Sequence, residues 1–385
     1  MNKGEDGLRI AWLFPAMIRG NYWHPVLSEF TKVFKETIVY TGLWPGFTPG
    51  FEGAFTVEVV GKTVLTESAQ PALSYRRGFA LVSPSIVGRL LQFKPHVIFT
   101  NAFSIWTLLA LLFKPWGKWR IVIAWEGSSP VVDACDSNLR LILRRIMVRF
   151  TDAFITNNYR GKAYLTDILR AKESRVFAKP YEVPDSQALS GQQEDAEVSA
   201  LGLRRPVFLF VGQLIPRKGI HLLLEACTIL QEQGYRDYTV LIVGDGPQRD
   251  ELENFSQKYG LEDCVKWVRW VDYSRLSHYF RSADVFILPT LEDTWGMVVL
   301  EAMVFGKPVL CSKWAGSSEM VVEGENGHVF DPNEPESLAK IMRYFIDDPD
   351  KSVSMGHKSQ QLISQYTPES AAQFLAEVAS FALEK

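Results

Sequence analysis

The stretch PVFLFVGQLIPRKGIHLLLEA, residues 206–226, contains the pattern that decides the fold. Its run of apolar residues predicts a buried strand, Gly212 opens a turn, and the apolar spacing after Gly219 predicts a helix. A strand without polar alternation that leads directly into a helix is typical of a parallel sheet covered on both faces. The fold class therefore depends on whether this strand–helix unit recurs along the chain.

Strands and helices of this kind alternate along most of the chain. Further strands are predicted at LRIAWLF, TIVYTG, HVIFTN, WRIVIAWEG, DAFITNN, YTVLIVGDG, KWVRWV, DVFILPT and KPVLCS. A polar segment without aromatic residues, 186–206, separates two such groups. We predict an α/β protein with two Rossmann-like, doubly wound domains, residues 1–188 and 205–364, facing each other across a cleft. A helix near 365–385 is expected to pack back on the first domain.

Length and composition agree with a two-domain globular protein. The 385 residues exceed what one core usually serves, and 47% hydrophobic with 22% charged residues argues against disorder. The four scattered cysteines indicate reduced thiols, and the acidic residues before the first apolar run argue against a signal peptide. The apolar run at 97–113 is short for a membrane span, so we predict a strand and a core helix there. A cytoplasmic location is expected.

The charge is unevenly distributed. The net charge is -3, but residues 1–185 contain 23 Lys and Arg against 15 Asp and Glu, whereas the remainder contains 18 against 29. The two halves are therefore expected to meet different partners or each other. No nucleic-acid partner is predicted.

One basic segment suggests a membrane surface. SNLRLILRRIMVRF, residues 137–150, interleaves arginines with apolar residues, and we predict that these arginines form a cationic stripe on one helix face that could lie on an anionic membrane. They are Arg140, Arg144, Arg145 and Arg149. The nearby Trp116 and Trp119 favour an interface. The alternative is a core-packed helix with a solvated basic face.

Two turns have the character of phosphate sites. Arg217 and Lys218 stand just ahead of a helix, where fixed cations would bind phosphate, although a solvated basic loop is the alternative. In VGDGP, Gly244 and Gly246 would let the backbone approach a ligand beside Asp245, although an ordinary turn would look the same. No G-x-G-x-x-G pattern occurs, which disfavours a dehydrogenase.

LEDTWGMVVLEAM, residues 291–303, places two acids across an apolar stretch. Asp293 is predicted in the loop where a strand becomes a helix, with Glu301 two turns into that helix. An ideal helix would place them about 80° apart, so they are not a metal-binding pair on one face. Carboxylates so placed could accept hydrogen bonds from sugar hydroxyls, and the amides of residues 295–297 could face a phosphate. The alternative is a helix cap and a surface acid.

These motifs together resemble a known family. VGQLIPRKG, LIVGDGP, ADVFILPT, EDTWGMVVLEAMVFGKPVL and AGSSEMVVEGENGHVFDP stand in the order and spacing of the retaining glycosyltransferases of family 4. The resemblance covers residues 205–340 and extends more loosely to LRIAWLFPAMIRGNYW, DAFITNNYRGKAYL and VFAKPYEVPD. It implies the GT-B fold, with a nucleotide sugar held mainly by the second domain.

The resemblance also implies roles for single positions. Lys218 would contact the donor diphosphate with Arg217 beside it, Asp293 the transferred sugar, and Glu301 the ribose. The other implied donor contacts are Gly20, Gly212, Gln213, Gly244, Asp245, Gly246, Trp270, Trp295, Gly296, Met297 and Val298.

Three positions depart from the family pattern. Gln213 stands where many relatives have a phosphate-binding arginine. Asp293 is one methylene shorter than the usual glutamate, so either its loop has moved inward or Glu292 takes the role. Glu126 stands in the neighbourhood where relatives often have a histidine near the transferred sugar, and we predict a catalytic role for it.

The sequence thus predicts a retaining glycosyltransferase. It would use a nucleotide sugar and a polysaccharide-precursor, lipid-linked or glycolipid acceptor, at the inner face of the cell membrane. Neither a metal site nor another cofactor is expected. The alternatives are a nucleotide-sugar epimerase on the same fold and a catalytically inactive scaffold.

Overall fold

The computed structural model describes residues 7–17, 20–66, 79–185, 189 and 196–385. Two compact units divide these residues. The N-terminal unit comprises the described residues up to Val183 together with Tyr366–Lys385. The C-terminal unit comprises the described residues from Pro184 to Gln365. The predicted boundary segment, 186–206, lies partly outside the described residues.

The N-terminal unit is built on a parallel sheet of seven strands in the order β3-β2-β1-β6-β7-β8-β9, with a separate antiparallel pair, β4-β5. The strands are β1 Arg9–Phe14, β2 Glu36–Thr41, β3 Thr56–Val59, β4 Val64–Thr66, β5 Phe79–Leu81, β6 Val97–Asn101, β7 Arg120–Trp125, β8 Ala153–Thr156 and β9 Val176–Ala178. The α-helices among them are α1 Gly20–Val33, α2 Ile86–Phe93, α3 Ile105–Gly117, α4 Pro130–Asp133, α5 Asn138–Phe150 and α6 Tyr159–Ala163.

The C-terminal unit has a six-stranded parallel sheet in the order β12-β11-β10-β13-β14-β15. Its strands are β10 Val207–Val211, β11 Thr239–Val243, β12 Val265–Val268, β13 Val285–Leu288, β14 Val309–Ser312 and β15 Gly327–Phe330. Its α-helices are α7 Ala196–Ser199, α8 Ile220–Glu232, α9 Arg249–Lys258, α10 Leu276–Ser282, α11 Met297–Val304, α12 Pro335–Asp347 and α13 Asp350–Ile363. The strand order reverses between β10 and β13, so the loops that follow these two strands run to opposite sides and leave a crevice between them.

The last helix, α14 Pro368–Leu383, belongs to the N-terminal unit, where it packs against α1. Ala371, Leu375 and Ala379 recur at four-residue spacing on its inward face and are fully buried, and their small or slender side chains allow close helix packing. They join a core in which the rings of Trp12 and Phe99 stack with centroids 4.4 Å apart.

The apolar run at 97–113 forms β6 and the start of α3, as predicted. The helix is buried on one side only, because Leu112 and Trp116 on its other side are mostly exposed. Trp119 is buried and donates from Nε1 to the Ala110 carbonyl oxygen over 3.0 Å, so the prediction that it favours an interface was wrong. Among the helices that the structure describes, none combines the length and apolar character needed to cross a bilayer.

The predicted arginine stripe on α5 is also wrong. Arg144 turns inward, where its Nη1 donates to the Asp133 carbonyl oxygen over 2.8 Å and to the Tyr164 hydroxyl over 2.6 Å. Its guanidinium lies 5.0 Å from the ring centroid of Trp125. Arg145 donates from Nε to the Ile168 carbonyl oxygen over 3.0 Å. At 100° per residue the four arginines spread over half of the helix circumference rather than along one face.

Candidate active site

The residues predicted to bind the donor follow three neighbouring strands of the C-terminal sheet. Gly212 to Lys218 follow β10, Gly244 to Gly246 follow β11, and Glu292 to Gly296 lie between β13 and α11, whose first residues are Met297 and Val298. Because these strands are parallel, their carboxyl ends meet at one edge of the sheet. The chain order reverses between β10 and β13, which is where open α/β sheets hold their ligands.

The loop after β10 is held against the end of β13. Arg217 and Lys218 lie in a short 3-10 turn, Pro216–Lys218, and Arg217 is buried. Gly219 follows with φ 67°, and a Cβ atom added there would lie 2.1 Å from the Pro289 carbonyl oxygen. Only glycine fits this position, so the two cations are fixed beside β13 rather than placed on a freely solvated loop.

Lys218 and Arg217 converge on one carboxylate. Lys218 Nζ donates to Asp293 Oδ2 over 2.5 Å, and Arg217 Nη1 lies 3.7 Å from the same oxygen. All three side chains are at least 88% buried. At such depth the attraction between opposite charges is much stronger than in water, so the two loops are tied together by this cluster.

Backbone contacts fix the same two loops. The Arg217 carbonyl oxygen accepts from the Leu291 amide over 2.7 Å and from Thr290 Oγ1 over 2.9 Å. Arg217 Nη1 donates to the Glu292 carbonyl oxygen over 3.0 Å. The cationic turn and the acidic loop therefore form one preorganised edge of the crevice.

Asp293 lies in a loop, four residues before α11 begins at Met297. The Asp293 amide donates to the Trp314 carbonyl oxygen over 3.2 Å, and its carbonyl oxygen accepts from the Gly316 amide over 3.0 Å. These bonds hold the segment as a short extended bridge. Since α11 starts only at Met297, Glu301 lies about one turn into the helix, and the prediction of two turns was wrong.

The residues between the two acids surround the start of α11. Trp295 is buried, and its carbonyl oxygen accepts from the Ser317 amide over 2.7 Å. Gly296 is the N-cap with φ 91°, and Met297 and Val298 are the first two helical residues. The N-terminus of α11 therefore lies beside the cluster of Lys218, Arg217 and Asp293.

Glu301 is the most deeply buried acid of the candidate site, with 2% of its surface exposed. Burial raises the pKa of Glu301 to about 7, and a hydrogen bond with Tyr273 opposes part of that rise. Its Oε1 has no hydrogen-bond partner among the described residues. A buried acceptor in this state is stabilised when a ligand hydroxyl donates to it.

The glycines after β11 have a packing role that the sequence did not predict. A Cβ atom added at Gly244 would lie 1.9 Å from the Gly212 carbonyl oxygen, and one at Gly246 would lie 2.4 Å from that of Leu214. The close approach that the structure shows is to the neighbouring turn, so these glycines pack the turns after β10 and β11 together. That they also let the backbone approach a ligand stays a prediction.

Asp245 belongs to a charged network that includes one residue missed from the sequence. Asp245 Oδ1 accepts from the Gly246 amide over 2.9 Å and from Arg249 Nε over 3.1 Å, and these bonds, the amide first, lower the pKa of Asp245. Arg249 is buried and donates to the Gly244 carbonyl oxygen over 2.7 Å. Arg249 stands four residues after Asp245, a spacing that favours an ion pair, so its role could have been predicted from the sequence.

Two other predicted donor contacts lie at the surface of the C-terminal unit. Gln213 is exposed beside this turn, and Trp270, after β12, is 69% exposed.

The N-terminal unit has its own polar cluster at the carboxyl ends of β6, β7 and β8. Asn101 Nδ2 donates to Glu126 Oε1 over 3.0 Å. Asn157 Nδ2 donates to the Glu126 carbonyl oxygen over 2.9 Å and to Glu182 Oε2 over 3.0 Å. Sequence reasoning found Glu126 but missed the other three, although each amide directly ends or follows an apolar strand. Gly20 is the first residue of α1 and lies after β1, at this edge of the sheet.

The architecture is that of the GT-B fold, as predicted: two units, each a doubly wound α/β layer structure with a parallel main sheet. HepE of Anabaena, solved in complex with UDP, matches 97% of this chain and 100% of its own with a TM-score of 0.74 and 19% identity. Sucrose-phosphate synthase from Thermosynechococcus elongatus matches 96% of this chain and 98% of its own with a TM-score of 0.70 and 18% identity.

Residues 191–362 match the model of the family described as glycosyl transferases group 1. The D-inositol 3-phosphate glycosyltransferase 2 of Catenulispora acidiphila is 26% identical over 66% of this chain and 61% of that protein. The alpha-D-kanosaminyltransferase of Streptomyces kanamyceticus is 28% identical over 45% of each. The chain thus spans about half to three fifths of the length of these curated relatives. The residues that match the family model fall within the C-terminal unit.

Proposed function

We propose that this chain is a retaining glycosyltransferase. It transfers a hexose from a nucleoside-diphosphate sugar to a polysaccharide-precursor, lipid-linked or glycolipid acceptor at the cytoplasmic face of the cell membrane. The observation that carries the proposal is the buried cluster of Lys218, Arg217 and Asp293 at the reversal point of the C-terminal sheet, followed by Glu301 on α11.

The cluster suits the diphosphate of such a donor. Lys218 and Arg217 are fixed in place before any ligand arrives, so a diphosphate would gain two cations without the cost of ordering them. The buried Oε1 of Glu301 can accept from a ribose hydroxyl. Asp293, already beside the cations, can accept from a hydroxyl of the transferred sugar. The solved complex of HepE with UDP supports a uridine donor as the first to test.

The reaction would break the bond between the anomeric carbon and the donor phosphate oxygen, and it would form a bond from that carbon to an acceptor hydroxyl on the same face. The electron pair of the broken bond stays on the diphosphate, where Lys218 and Arg217 stabilise the added charge. The departing phosphate oxygen takes the proton of the acceptor hydroxyl. In this proposal the two cations do the work of a divalent metal, so no obligatory metal or other cofactor is required.

The polar cluster of the N-terminal unit is proposed to bind sugar hydroxyls. Glu126, Asn101, Asn157 and Glu182 supply amide donors and carboxylate acceptors at one sheet edge. Such mixed groups suit hydroxyls, which both donate and accept. Glu126 would then take the place of the histidine that relatives often have near the transferred sugar.

A thermal-shift panel of UDP, GDP and ADP, followed by product analysis with the matching nucleotide sugar, tests the proposal. One nucleotide at 100 times its dissociation constant should stabilise the protein by about 2.7 kcal/mol. Lys218→Ala should lower kcat by about 100- to 1000-fold, because it removes a cation from the developing charge. Lys340→Ala, on the exposed side of α12, is the matched control.

Other outcomes would point elsewhere. Stabilisation by none of the nucleotides would contradict the proposal. Conversion of the donor to an isomeric nucleotide sugar without acceptor would identify an epimerase. Cellular function that survives Lys218→Ala would identify an inactive scaffold. Activity that is lost in EDTA and restored by Mg²⁺ would refute the metal-free mechanism, and a product with the opposite anomeric configuration would refute retention.

A further inference from the structure

The outward face of α5 is apolar. Its exposed side chains fall at helical spacing on one side of the helix, and each is at least 42% exposed. They are Leu139, Ile142, Leu143, Ile146 and Phe150. Surface helices of globular proteins normally present polar residues on this side. We call this set the α5 ridge.

A second exposed apolar line lies next to the α5 ridge. Ile105, Leu112 and Trp116 share one side of α3, and Trp116 is 72% exposed. α3 packs against α5, and the inward residues of both helices belong to the same core cluster, so both helices cover one face of the sheet and leave their outer sides uncovered. Of the twenty large apolar side chains exposed in the described part of the chain, eight lie on these two helices. Such a concentration marks an interaction surface.

A basic cavity opens where the two helices end. It has a volume of about 600 Å³, and Phe150 of the ridge forms part of its wall. Five basic side chains and one carboxylate, Asp152, line it. The basic residues are Lys114, Lys118, Arg120, Arg149 and Arg175. The excess of positive charge indicates an anionic ligand.

Some of these cations already have partners, but two have none among the described residues. Lys114 Nζ donates to Asp152 Oδ2 over 2.6 Å and to the Phe150 carbonyl oxygen over 2.8 Å. Arg120 lies 3.6 Å from Asp152. In the described part of the chain, Lys118 and Arg149 form no ion pair. Favourable interactions with the carboxyl ends of α3 and α5 and with Asp152 therefore do not explain all five basic residues.

The cavity is separate from the polar cluster around Glu126. It lies where β7 begins at Arg120 and β8 begins after Asp152, which is the amino edge of the sheet. Glu126 and its partners lie at the carboxyl edge. The cavity is therefore not a part of the proposed catalytic site.

We propose that the α5 ridge, the exposed side of α3 and this basic cavity dock the N-terminal unit on an anionic phospholipid bilayer. The apolar side chains enter the boundary between headgroups and acyl chains, and a lipid phosphate occupies the cavity between Lys118 and Arg149. Trp116 suits the same boundary, because its ring is amphipathic. An apolar helix side with cations at its flank and end is what binds such membranes.

The charges favour a membrane over a second copy of this chain. A twofold interface through the ridge would bring the same basic residues of both copies together, and like charges across an interface oppose association. Free phosphate would satisfy the cavity but would leave the ridge in water. Anionic lipid satisfies both features.

Co-sedimentation of the full chain with vesicles tests the inference and requires no sugar transfer, so it is independent of the proposed function. Vesicles of phosphatidylcholine with 30% phosphatidylglycerol should bind the protein about tenfold more tightly than phosphatidylcholine alone. Binding should weaken as NaCl is raised from 50 to 500 mM, because salt screens the attraction between the basic residues and the anionic lipid.

Two double variants separate the components. Ile142→Ser with Ile146→Ser should reduce binding by at least about tenfold at every salt concentration, because the apolar contribution is lost. Lys118→Ser with Arg149→Ser should remove the preference for phosphatidylglycerol. The controls are Val353→Ser, an exposed apolar residue on α13, and Lys340→Ser, and both should bind as the parent does.

Three results would overturn the inference. The parent protein could fail to bind the anionic vesicles at 50 mM NaCl. Inorganic phosphate could stabilise the protein through Lys118 and Arg149 while the vesicles remain unbound, which would indicate a site for soluble phosphate. Light scattering could show a dimer that the ridge variant converts to a monomer, again without vesicle binding, which would assign the ridge to a second copy of the chain.

Discussion

Lys218 Nζ and Asp293 Oδ2 lie 2.5 Å apart, although 75 positions separate the two residues in the sequence. This ion pair joins the turn after β10 to the loop after β13, and both side chains are nearly buried. The pair therefore links the stability of the C-terminal unit to the chemistry proposed for it.

The ion pair should show strong energetic coupling. Lys218→Met or Asp293→Asn alone removes one side of this buried ion pair, which costs about 3 to 5 kcal/mol of unfolding free energy. The double variant should lose clearly less than the sum of the two. Urea denaturation of the four proteins measures the coupling, and additive losses would show that the pair does not interact.

Asp293, rather than Glu292, should be the acid that acts on the sugar. Asp293 Oδ2 lies between the two cations, whereas the carbonyl oxygen of Glu292 is what Arg217 contacts. We expect Asp293→Asn to lower kcat by about 100-fold or more, the loss typical of a group at the developing charge, and Glu292→Gln to lower it far less. Steady-state kinetics with saturating donor decide this, and an equal loss in both variants would contradict the assignment.

Glu301 should make stability depend on pH. Its folded-state pKa of about 7 lies above the ordinary value of 4.5, so the folded state binds more protons than the unfolded state between these values. The free energy of unfolding should therefore fall as the pH rises from 4.5 through 7, by about 3 kcal/mol in total, at 1.36 kcal/mol per pH unit. Glu301→Gln should remove this component.

Urea denaturation from pH 4.5 to 8.5 compares that variant with the parent. A parallel pH dependence in the two proteins would show that another group is responsible. If a donor hydroxyl bonds to the ionised carboxylate, nucleotide binding should also release a proton near pH 6.5. Calorimetry in buffers of different ionisation enthalpy detects that release.

Gly244→Ala should destabilise the C-terminal unit. The added methyl group would lie 1.9 Å from the Gly212 carbonyl oxygen, so the turns after β10 and β11 must separate. Overpacking of this kind costs about 1 to 3 kcal/mol. Gly88→Ala in α2 is the control, because open space surrounds Gly88 and alanine favours the helix by about 1 kcal/mol. Thermal unfolding compares the two, and a Gly244→Ala variant as stable as the parent would contradict the close packing.

The central strands could be predicted because burial on both faces makes their sequences uniformly apolar. The strands β1, β2, β6, β7 and β8, and β10 to β14, all fall in or overlap predicted segments. Among them β12 is an edge strand, and its apolar Trp and Val residues made it predictable. No comparable signal marks β3, β9 and β15, which are also edge strands. TVEV, VFA and GHVF are short and partly polar or small, because an edge strand is exposed along one side.

The candidate site could be predicted only as far as local patterns extend. Lys218 and Asp293 were each found from the turns around them, but nothing local indicates that they form an ion pair. Asn101, Asn157 and Glu182 were missed because their relation to Glu126 depends on strand order in the sheet. The inward turn of Arg144 was missed for the same reason, since a helix sequence does not show which neighbours offer acceptors.

The position of α14 has a consequence for how the chain is made. The first unit to leave the ribosome cannot complete its core until Tyr366–Lys385 have also emerged. Nonsense mutations ahead of the codons for α14 should thus damage the unit that is translated earlier. A fragment that ends at Val183 lacks part of this core. It would need α14 added as a separate peptide, or fused through a linker, to represent the N-terminal unit.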